Sequence, residues 1–214
     1  MLTYFDDILT KDIEKRYKLK ESEKLRALAR FYLTNISNTI TFNSIKKFLD
    51  TTTNTIEKFS SYLEETNILF FVKRFSYKVK EQEKAARKVY SADSGLANAV
   101  GFKFSSNIGK IAENIVAIEL RNDKDIELYY WYNSNEVDFV VKKGQKVNQL
   151  IQVCWNINEY KTKEREVKAL IKASKKLKCK NLLVITEDNE GKEEIKKEKI
   201  VYIPLWKWLL ETNK

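Results

Sequence analysis

The sequence predicts an α/β protein in which a helical N-terminal region precedes a domain of mixed helices and strands. Apolar residues recur at helical spacing through the N-terminal region, whereas patterns typical of strands dominate after about residue 125. Hydrophobic residues make up 43% of the 214 residues, which is enough to bury one sizeable core or two small ones. We therefore expect two compact modules, with a boundary near Val100.

The N-terminal module is predicted to be a winged helix over residues 22–100, preceded by a helical segment over residues 1–21. Apolar residues at helical spacing predict helices over 22–35, 41–49 and 55–65. Three short helices in this order are typical of a helix-turn-helix arrangement. The β-rich segments 68–77 and 88–91, separated by a charged turn, are predicted to form the two strands of the wing.

A winged helix of this kind predicts a surface that binds duplex DNA with weak sequence preference. Small polar residues at the start of the third helix can approach bases and phosphates, and the wing supplies cations. The predicted DNA-binding residues are Thr52, Thr53, Asn54, Lys58, Lys73, Arg74 and Lys78. The alternative is that the threonines only cap a helix and that the module packs against another protein.

The second module, residues 101–214, begins with a predicted connector over 101–107. The patterns then predict a helix over 108–122, strands over 126–132, 136–141 and 149–155, a helix over 160–177, a strand over 181–186, a polar loop or hairpin over 187–199, a strand over 199–203 and a C-terminal helix. This order is helix, three strands, helix and strand. Core packing is the expected role of the aromatic run from Tyr129 to Tyr132.

The segments around Asp138 and Gln152 are predicted to be neighbouring strands of a hairpin with its turn near Gly144. Side chains alternate faces along a strand, so a carboxylate on one strand and an amide on the next can converge. Glu113, on the preceding helix, adds a second acid. Mg²⁺ prefers all-oxygen ligands of this kind. The candidate catalytic and metal-binding residues are therefore Glu113, Asp138 and Gln152.

These residues and their flanks resemble the nuclease-like domains of the PD-(D/E)XK fold, in which an acid on a helix and acids on two strands hold a metal ion. The matching segments are Gly109–Val116, Asn135–Val141, Leu150–Cys154 and Pro204–Leu210. With the winged helix, the chain is similar to the C-terminal half of archaeal AAA+-type ATPases, here without the ATPase module. Cys154 stands where the family has a catalytic lysine, unless Lys161, Lys163 or Lys168 supplies that charge.

Composition narrows the chemistry further. Histidine is absent, which excludes Ser-His-Asp and Cys-His catalysis within this chain, and the two cysteines indicate no disulfide framework. The five glycines are isolated and form no phosphate-binding loop, so no ATPase activity is expected. A net charge of +10 favours a polyanionic partner, although lysine-rich surfaces also occur for stability alone. No membrane span or signal peptide is expected, which predicts a cytoplasmic protein.

Three functions remain open from the sequence. The leading interpretation is a DNA-binding protein whose nuclease-like site is degenerate because Cys154 replaces the lysine. The first alternative is a Mg²⁺-dependent DNA endonuclease that hydrolyses phosphodiesters. The second alternative is a scaffold that binds a protein partner, either an ATPase or a member of a toxin-antitoxin pair.

Overall fold

A computed structural model describes residues 1–101 and 108–212. Most of the predicted connector over 101–107 therefore lies outside the described residues. Contacts divide the described chain into two compact units. The first comprises residues 1–72 and 84–101, and the second comprises residues 73–83 and 108–212.

The first unit is mostly helical. It contains α1 (Leu2–Asp7), a π-helix (Ile8–Lys15), α2 (Ser22–Thr34), β1 (Thr39–Ile40), α3 (Phe42–Leu49), α4 (Thr53–Glu65), the first part of β2 (Leu69–Arg74), β3 (Arg87–Ser91) and α6 (Ser94–Val100). The amphipathic patterns predicted α2, α3 and α4 as separate helices. Residues 1–21 were expected only as one helical segment, and α6 was not predicted as a separate helix. The apolar face of α2 is fully buried, and Tyr32 on this face exchanges a hydrogen bond of 2.7 Å with Ser60 of α4.

Threonines fix the starts of α3 and α4. The Thr41 hydroxyl accepts a hydrogen bond from the Ser44 amide at 3.1 Å, and the Thr52 hydroxyl accepts one from the Thr55 amide at the same distance. These bonds satisfy amides that have no partner within the helix. Asp50 ends α3 in the left-handed conformation, with a φ of 44°. The two helices are therefore joined by a turn of only a few residues, as the sequence predicts.

The structure differs from the predicted wing in the segment that joins the two wing strands. The segment expected as a charged turn forms the helix α5 (Val79–Lys84), because its Lys, Glu and Gln residues are good helix formers. Within the first unit the strands lie in the order β1, β3, β2, and β1 pairs antiparallel with β3. Lys88, the first residue of the second predicted wing strand, is only 1% exposed. A winged helix is thus not established by the fold.

The second unit has helices and strands in the predicted order. Its further elements are α7 (Ile108–Asn122), β4 (Glu127–Asn133), β5 (Asn135–Lys143), β6 (Lys146–Val153), α8 (Tyr160–Leu177), β7 (Leu182–Thr186), β8 (Gly191–Ile195), β9 (Glu198–Pro204) and α9 (Leu205–Thr212). The polar segment predicted as a loop or hairpin is a hairpin, in which β8 is the first strand. The bounds of α8 agree residue for residue with the prediction.

These strands form a mixed sheet in the order β4, β5, β6, β7, β9, β8. Strand β5 runs antiparallel to both β4 and β6, β7 is parallel to β6 and β9, and β8 returns antiparallel at the edge. Lys73 and Arg74 pair in parallel with β4 at the opposite side. The predicted hairpin between β5 and β6 is confirmed, and Gly144 takes a φ of 59° in its turn.

Helix α8 packs on the middle of this sheet and forms the core on that face. Val167, Leu170 and Leu177 meet residues of β5, β6, β7 and β9, including Leu150 and Val184. The fold is therefore a mixed α/β arrangement with a large mixed sheet, and the predicted α/β fold class is confirmed. No helix in the described part of the chain is both long and apolar enough to cross a membrane.

Candidate functional site

The structure brings together the predicted metal-binding residues Asp138 and Gln152. Phe139 pairs with Ile151 in the β5–β6 ladder, so Asp138 and Gln152 face each other one step further along. The Asp138 amide donates a hydrogen bond to Oε1 of Gln152 at 3.2 Å. In return, the Val153 amide donates to Oδ2 of Asp138 at 2.9 Å. Both side chains are at most 5% exposed.

A third acidic residue, Glu166 of α8, joins this pair. Nε2 of Gln152 donates to Oε2 of Glu166 at 2.7 Å, and the Arg165 guanidinium donates to Oε1 through Nε at 2.9 Å and Nη2 at 2.6 Å. Burial raises the pKa of Glu166 and the nearby Asp138 carboxylate adds to the effect, while Arg165 opposes it. We call Asp138, Gln152, Glu166 and Arg165 the polar cluster.

Cys154 lies beside the polar cluster, and this thiol is buried, with the residue only 3% exposed. Burial raises its pKa to about 12, and the carboxylates of Glu166 and Asp138 contribute further. A thiol with this pKa is almost entirely protonated at neutral pH, so it is a poor nucleophile and a poor metal ligand. Cys154 also carries no charge that could replace the lysine of the resembled family.

The other residues predicted for this site also belong to the second unit. Glu113 is 9% exposed on α7, the helix whose first turn brings Gly109 against Trp155. Lys163 forms an ion pair with Glu193 of β8 at 2.8 Å, and Lys168 forms one with Glu164 at 2.8 Å. Lys161 is exposed. The cation within the polar cluster is instead Arg165.

Oxygen atoms of the polar cluster that could bind Mg²⁺ already accept hydrogen bonds. The carbonyl oxygen of Gln152 accepts from the Asp138 amide, one Asp138 oxygen accepts from the Val153 amide, and Glu166 accepts from Gln152 and Arg165. A hard cation that bound these oxygens would therefore compete with the hydrogen-bond donors already there. No group of three His, Cys, Asp or Glu side chains in the described ranges has a geometry suited to a metal ion.

The predicted DNA-binding residues of the first unit cluster at the N-terminal end of α4. The hydroxyl of Thr52 caps the helix, and Thr53 donates to Asn43 at 3.3 Å. Asn54 and Lys58 are exposed, and together with Lys20 they line a shallow cavity of about 270 Å³. The threonines therefore have local structural roles, whereas Asn54 and Lys58 present their polar groups at the surface.

The other predicted DNA-binding residues belong to the second unit, where each has a partner. Lys73 pairs with Glu83 at 2.6 Å, and Lys78 pairs with Glu81 at 2.9 Å. Arg74 donates to the main-chain oxygen of Tyr132 at 2.7 Å. Phosphate binding by these cations would have to compete with the partners they already have.

Glu166 and Arg165 were not predicted from the sequence as site residues. Glu166 lies four residues before the buried Leu170, so helical periodicity places it at the edge of the apolar face of α8. An acid at such an edge can reach a polar group of the sheet. The spacing indicates that Glu166 can reach the sheet, but it does not identify Gln152 as the partner of Glu166.

Comparison with known proteins places both parts of the chain in families without an assigned function. Residues 1–108 match the family described as Domain of unknown function (DUF8612), and residues 108–208 match Domain of unknown function (DUF4143). No solved structure matches the chain.

Two relatives span nearly the whole chain. "Uncharacterized protein MJ1544" of Methanocaldococcus jannaschii is 34% identical over 97% of this chain and 49% of its own length. An "Uncharacterized protein" of Haemophilus influenzae is 26% identical over 94% of this chain and 50% of its own. The chain thus spans about half the length of these relatives. Since the first of the two family matches covers half of the 214 residues, the chain belongs to the DUF8612 family.

Proposed function

We propose that this protein binds duplex DNA and that its nuclease-like domain does not hydrolyse it. The proposal that DNA is not hydrolysed rests on the bridge made by Gln152. The side-chain amide of this residue joins the Asp138 main chain to the Glu166 carboxylate. In an active metal site these oxygens would be turned towards a cation. Here they hold strand and helix together, so the polar cluster has a structural role.

The DNA-binding part of the proposal rests on charge and on the N-terminal end of α4. A net charge of +10 favours phosphate binding, because association releases counterions from the nucleic acid. The exposed Asn54 and Lys58 lie where the α4 helix dipole is positive. Backbone phosphates would then supply most of the affinity, which agrees with weak sequence preference.

The resemblance to the C-terminal half of AAA+-type ATPases supports a second element of the proposal, an ATPase partner. Both relatives are about twice as long as this chain, so a further module accompanies the shared region in each of them. We propose that an ATPase acts with this chain, either on the same polypeptide or as a separate protein.

The experiment measures binding and cleavage on the same DNA. Fluorescence anisotropy with a labelled duplex should give binding that weakens steeply as salt increases. Lys58→Glu should weaken binding. Lys11→Glu should have little effect, because it makes the same change of charge at an exposed lysine outside the predicted DNA-binding residues. A plasmid incubated with Mg²⁺ or Mn²⁺ should stay intact. Cleavage that Asp138→Ala abolishes would overturn the proposal, as would absence of binding at low salt.

A further inference from the structure

A groove of about 580 Å³ lies between α8 and the edge strand β8 of the second unit. Its floor is apolar and is formed by Val167, Ile171 and Ile195. Pockets of this size with an apolar floor and a few polar groups are typical of binding sites. The groove lies on the α8 face of the sheet and is separate from the surfaces assigned above to DNA.

The rim of the groove has an excess of positive charge. Two glutamates line it, and each forms an ion pair with a lysine of the same rim: Glu164 with Lys168, and Glu193 with Lys163. Three further lysines line the groove: Lys172, Lys175 and Lys196. Charge complementarity therefore favours an occupant with several carboxylates.

The strand β8 also offers main-chain hydrogen bonds beside the groove. It pairs only with β9 and forms the edge of the sheet among the residues that the structure describes. The β8–β9 turn has two residues, Lys196 and Lys197, both with positive φ, which is typical of a tight hairpin whose closing residues bond to each other. Because the pattern alternates, the amides and carbonyls of Lys192 and Glu194 point outwards.

We propose that this edge and groove bind an extended acidic peptide segment of a partner protein, which adds a strand to β8. Main-chain bonds to Lys192 and Glu194 would supply affinity, and alternate apolar side chains would enter the groove over Ile171 and Ile195. Glutamates or aspartates at other positions on the same face of the peptide would meet Lys175 and Lys196. This inference does not depend on whether the chain binds DNA.

The test uses a fluorescent peptide of about seven residues, two more than β8 has. Glutamate, valine and glutamate occupy alternate positions with serine between them, so that all three side chains share the face that meets the groove. Anisotropy with the full chain should give saturable binding. The double variant Lys175→Glu with Lys196→Glu should weaken it by roughly tenfold, equivalent to about 1.4 kcal/mol. Lys46→Glu with Lys47→Glu is the matched control, since these exposed lysines lie on α3.

A second variant tests the main-chain bonds. Glu194→Pro removes an outward amide and should weaken peptide binding by at least about tenfold, because proline is tolerated on an edge strand but cannot donate. Glu194→Ala keeps the amide and should bind normally. If the proline variant fails to fold, a peptide N-methylated at alternate amides replaces it and should bind more weakly than the unmodified peptide.

Five results would overturn the proposal. The peptide fails to bind, its lysine-for-glutamate analogue binds equally well, or N-methylation changes nothing. The fourth is displacement of the peptide by a short DNA duplex whose own binding falls in the Lys175→Glu, Lys196→Glu variant, which would assign the groove to nucleic acid. Dimerisation that Glu194→Pro abolishes would likewise overturn it, since the edge would then pair with a second copy of this chain.

Discussion

The side-chain nitrogen of Gln152 lies 2.7 Å from a carboxylate oxygen of Glu166, so a strand and a helix of the second unit are joined by a hydrogen bond to a charged acceptor. Bonds of this type are stronger than those between neutral groups. The same glutamine accepts from the Asp138 amide. The side-chain oxygen of Gln152 thus accepts from a donor on β5, and its side-chain nitrogen donates to an acceptor on α8. A carboxylate at position 152 could not do both, because it has no hydrogen to donate.

The first prediction concerns this glutamine. Gln152→Ala should lower the free energy of unfolding by about 1–3 kcal/mol, because the buried Asp138 amide and the Glu166 carboxylate lose a partner. Gln149→Ala is the control on the same strand, where the amide makes an exposed contact of 3.4 Å with Asn181. Urea unfolding followed by circular dichroism measures both. Equal effects of the two substitutions would show that the bridge contributes no special stability.

The second prediction concerns the raised pKa of Glu166. Its carboxyl binds a proton more tightly in the folded than in the unfolded protein, so this residue's contribution to stability is greatest at low pH. That contribution is lost as pH rises from the ordinary value of 4.5 through the raised folded value. Glu166→Ala should therefore flatten the pH dependence of unfolding above about pH 4.

The control for this pH dependence is Glu164→Ala, which removes an exposed carboxylate two residues away on the same helix. Its stability should follow the pH profile of the unmodified protein. Comparing slopes rather than absolute stabilities separates the titration from the hydrogen bonds that Glu166→Ala also removes. A slope that is the same in all three proteins would exclude a raised pKa at Glu166.

Sequence patterns predicted α8 and the convergence of Asp138 with Gln152, because both follow from local periodicity. An 18-residue amphipathic pattern specifies one helix face, and the two-residue period of β5 and β6 specifies which side chains share a face. The contact of Glu166 with Gln152 depends on how α8 packs on the sheet. That packing is a tertiary property, which periodicity within either element does not contain.

Short segments were harder to predict for a different reason. Residues 79–84 have good helix formers but no apolar face, so no amphipathic pattern distinguishes α5 from a charged turn.

In β4, Tyr130 and Trp131 are adjacent yet both buried, because the register with β5 shifts between Tyr129 and Trp131. A bulge of this kind breaks the alternation on which a strand prediction depends.

The third prediction concerns the cations predicted to bind DNA from the second unit. Reversing Lys73, Arg74 and Lys78 to glutamate should weaken duplex binding and reduce the dependence of log K on log salt by about 0.9 for each phosphate that the protein no longer neutralises. The expected loss of affinity is modest, since Lys73 and Lys78 already pair with Glu83 and Glu81. Anisotropy titrations at several salt concentrations measure the slope.

The matched control for these reversals is a triple variant, Lys11→Glu, Lys168→Glu and Lys207→Glu. Each of these lysines also forms an ion pair with an acid at the surface, and the change in net charge is the same. This control variant should keep the salt dependence of the unmodified protein if the effect of the first triple variant comes from the reversed residues themselves and not from the change in net charge. A slope unchanged by the first triple variant, or changed equally by the control, would remove these residues from the DNA-binding surface.

The last prediction tests whether replacement of a lysine by Cys154 alone accounts for the proposed lack of nuclease activity. Cys154→Lys places an ammonium near the carboxylates of Glu166 and Asp138, which favour the charge, while burial opposes it. Plasmid should nevertheless stay intact with Mg²⁺, because the Gln152 oxygen remains bonded to the Asp138 amide. The variant should also unfold at a lower temperature than Cys154→Met, an uncharged control of similar length. Mg²⁺-dependent cleavage by Cys154→Lys that a further Asp138→Ala removes would instead mean that the metal site is intact.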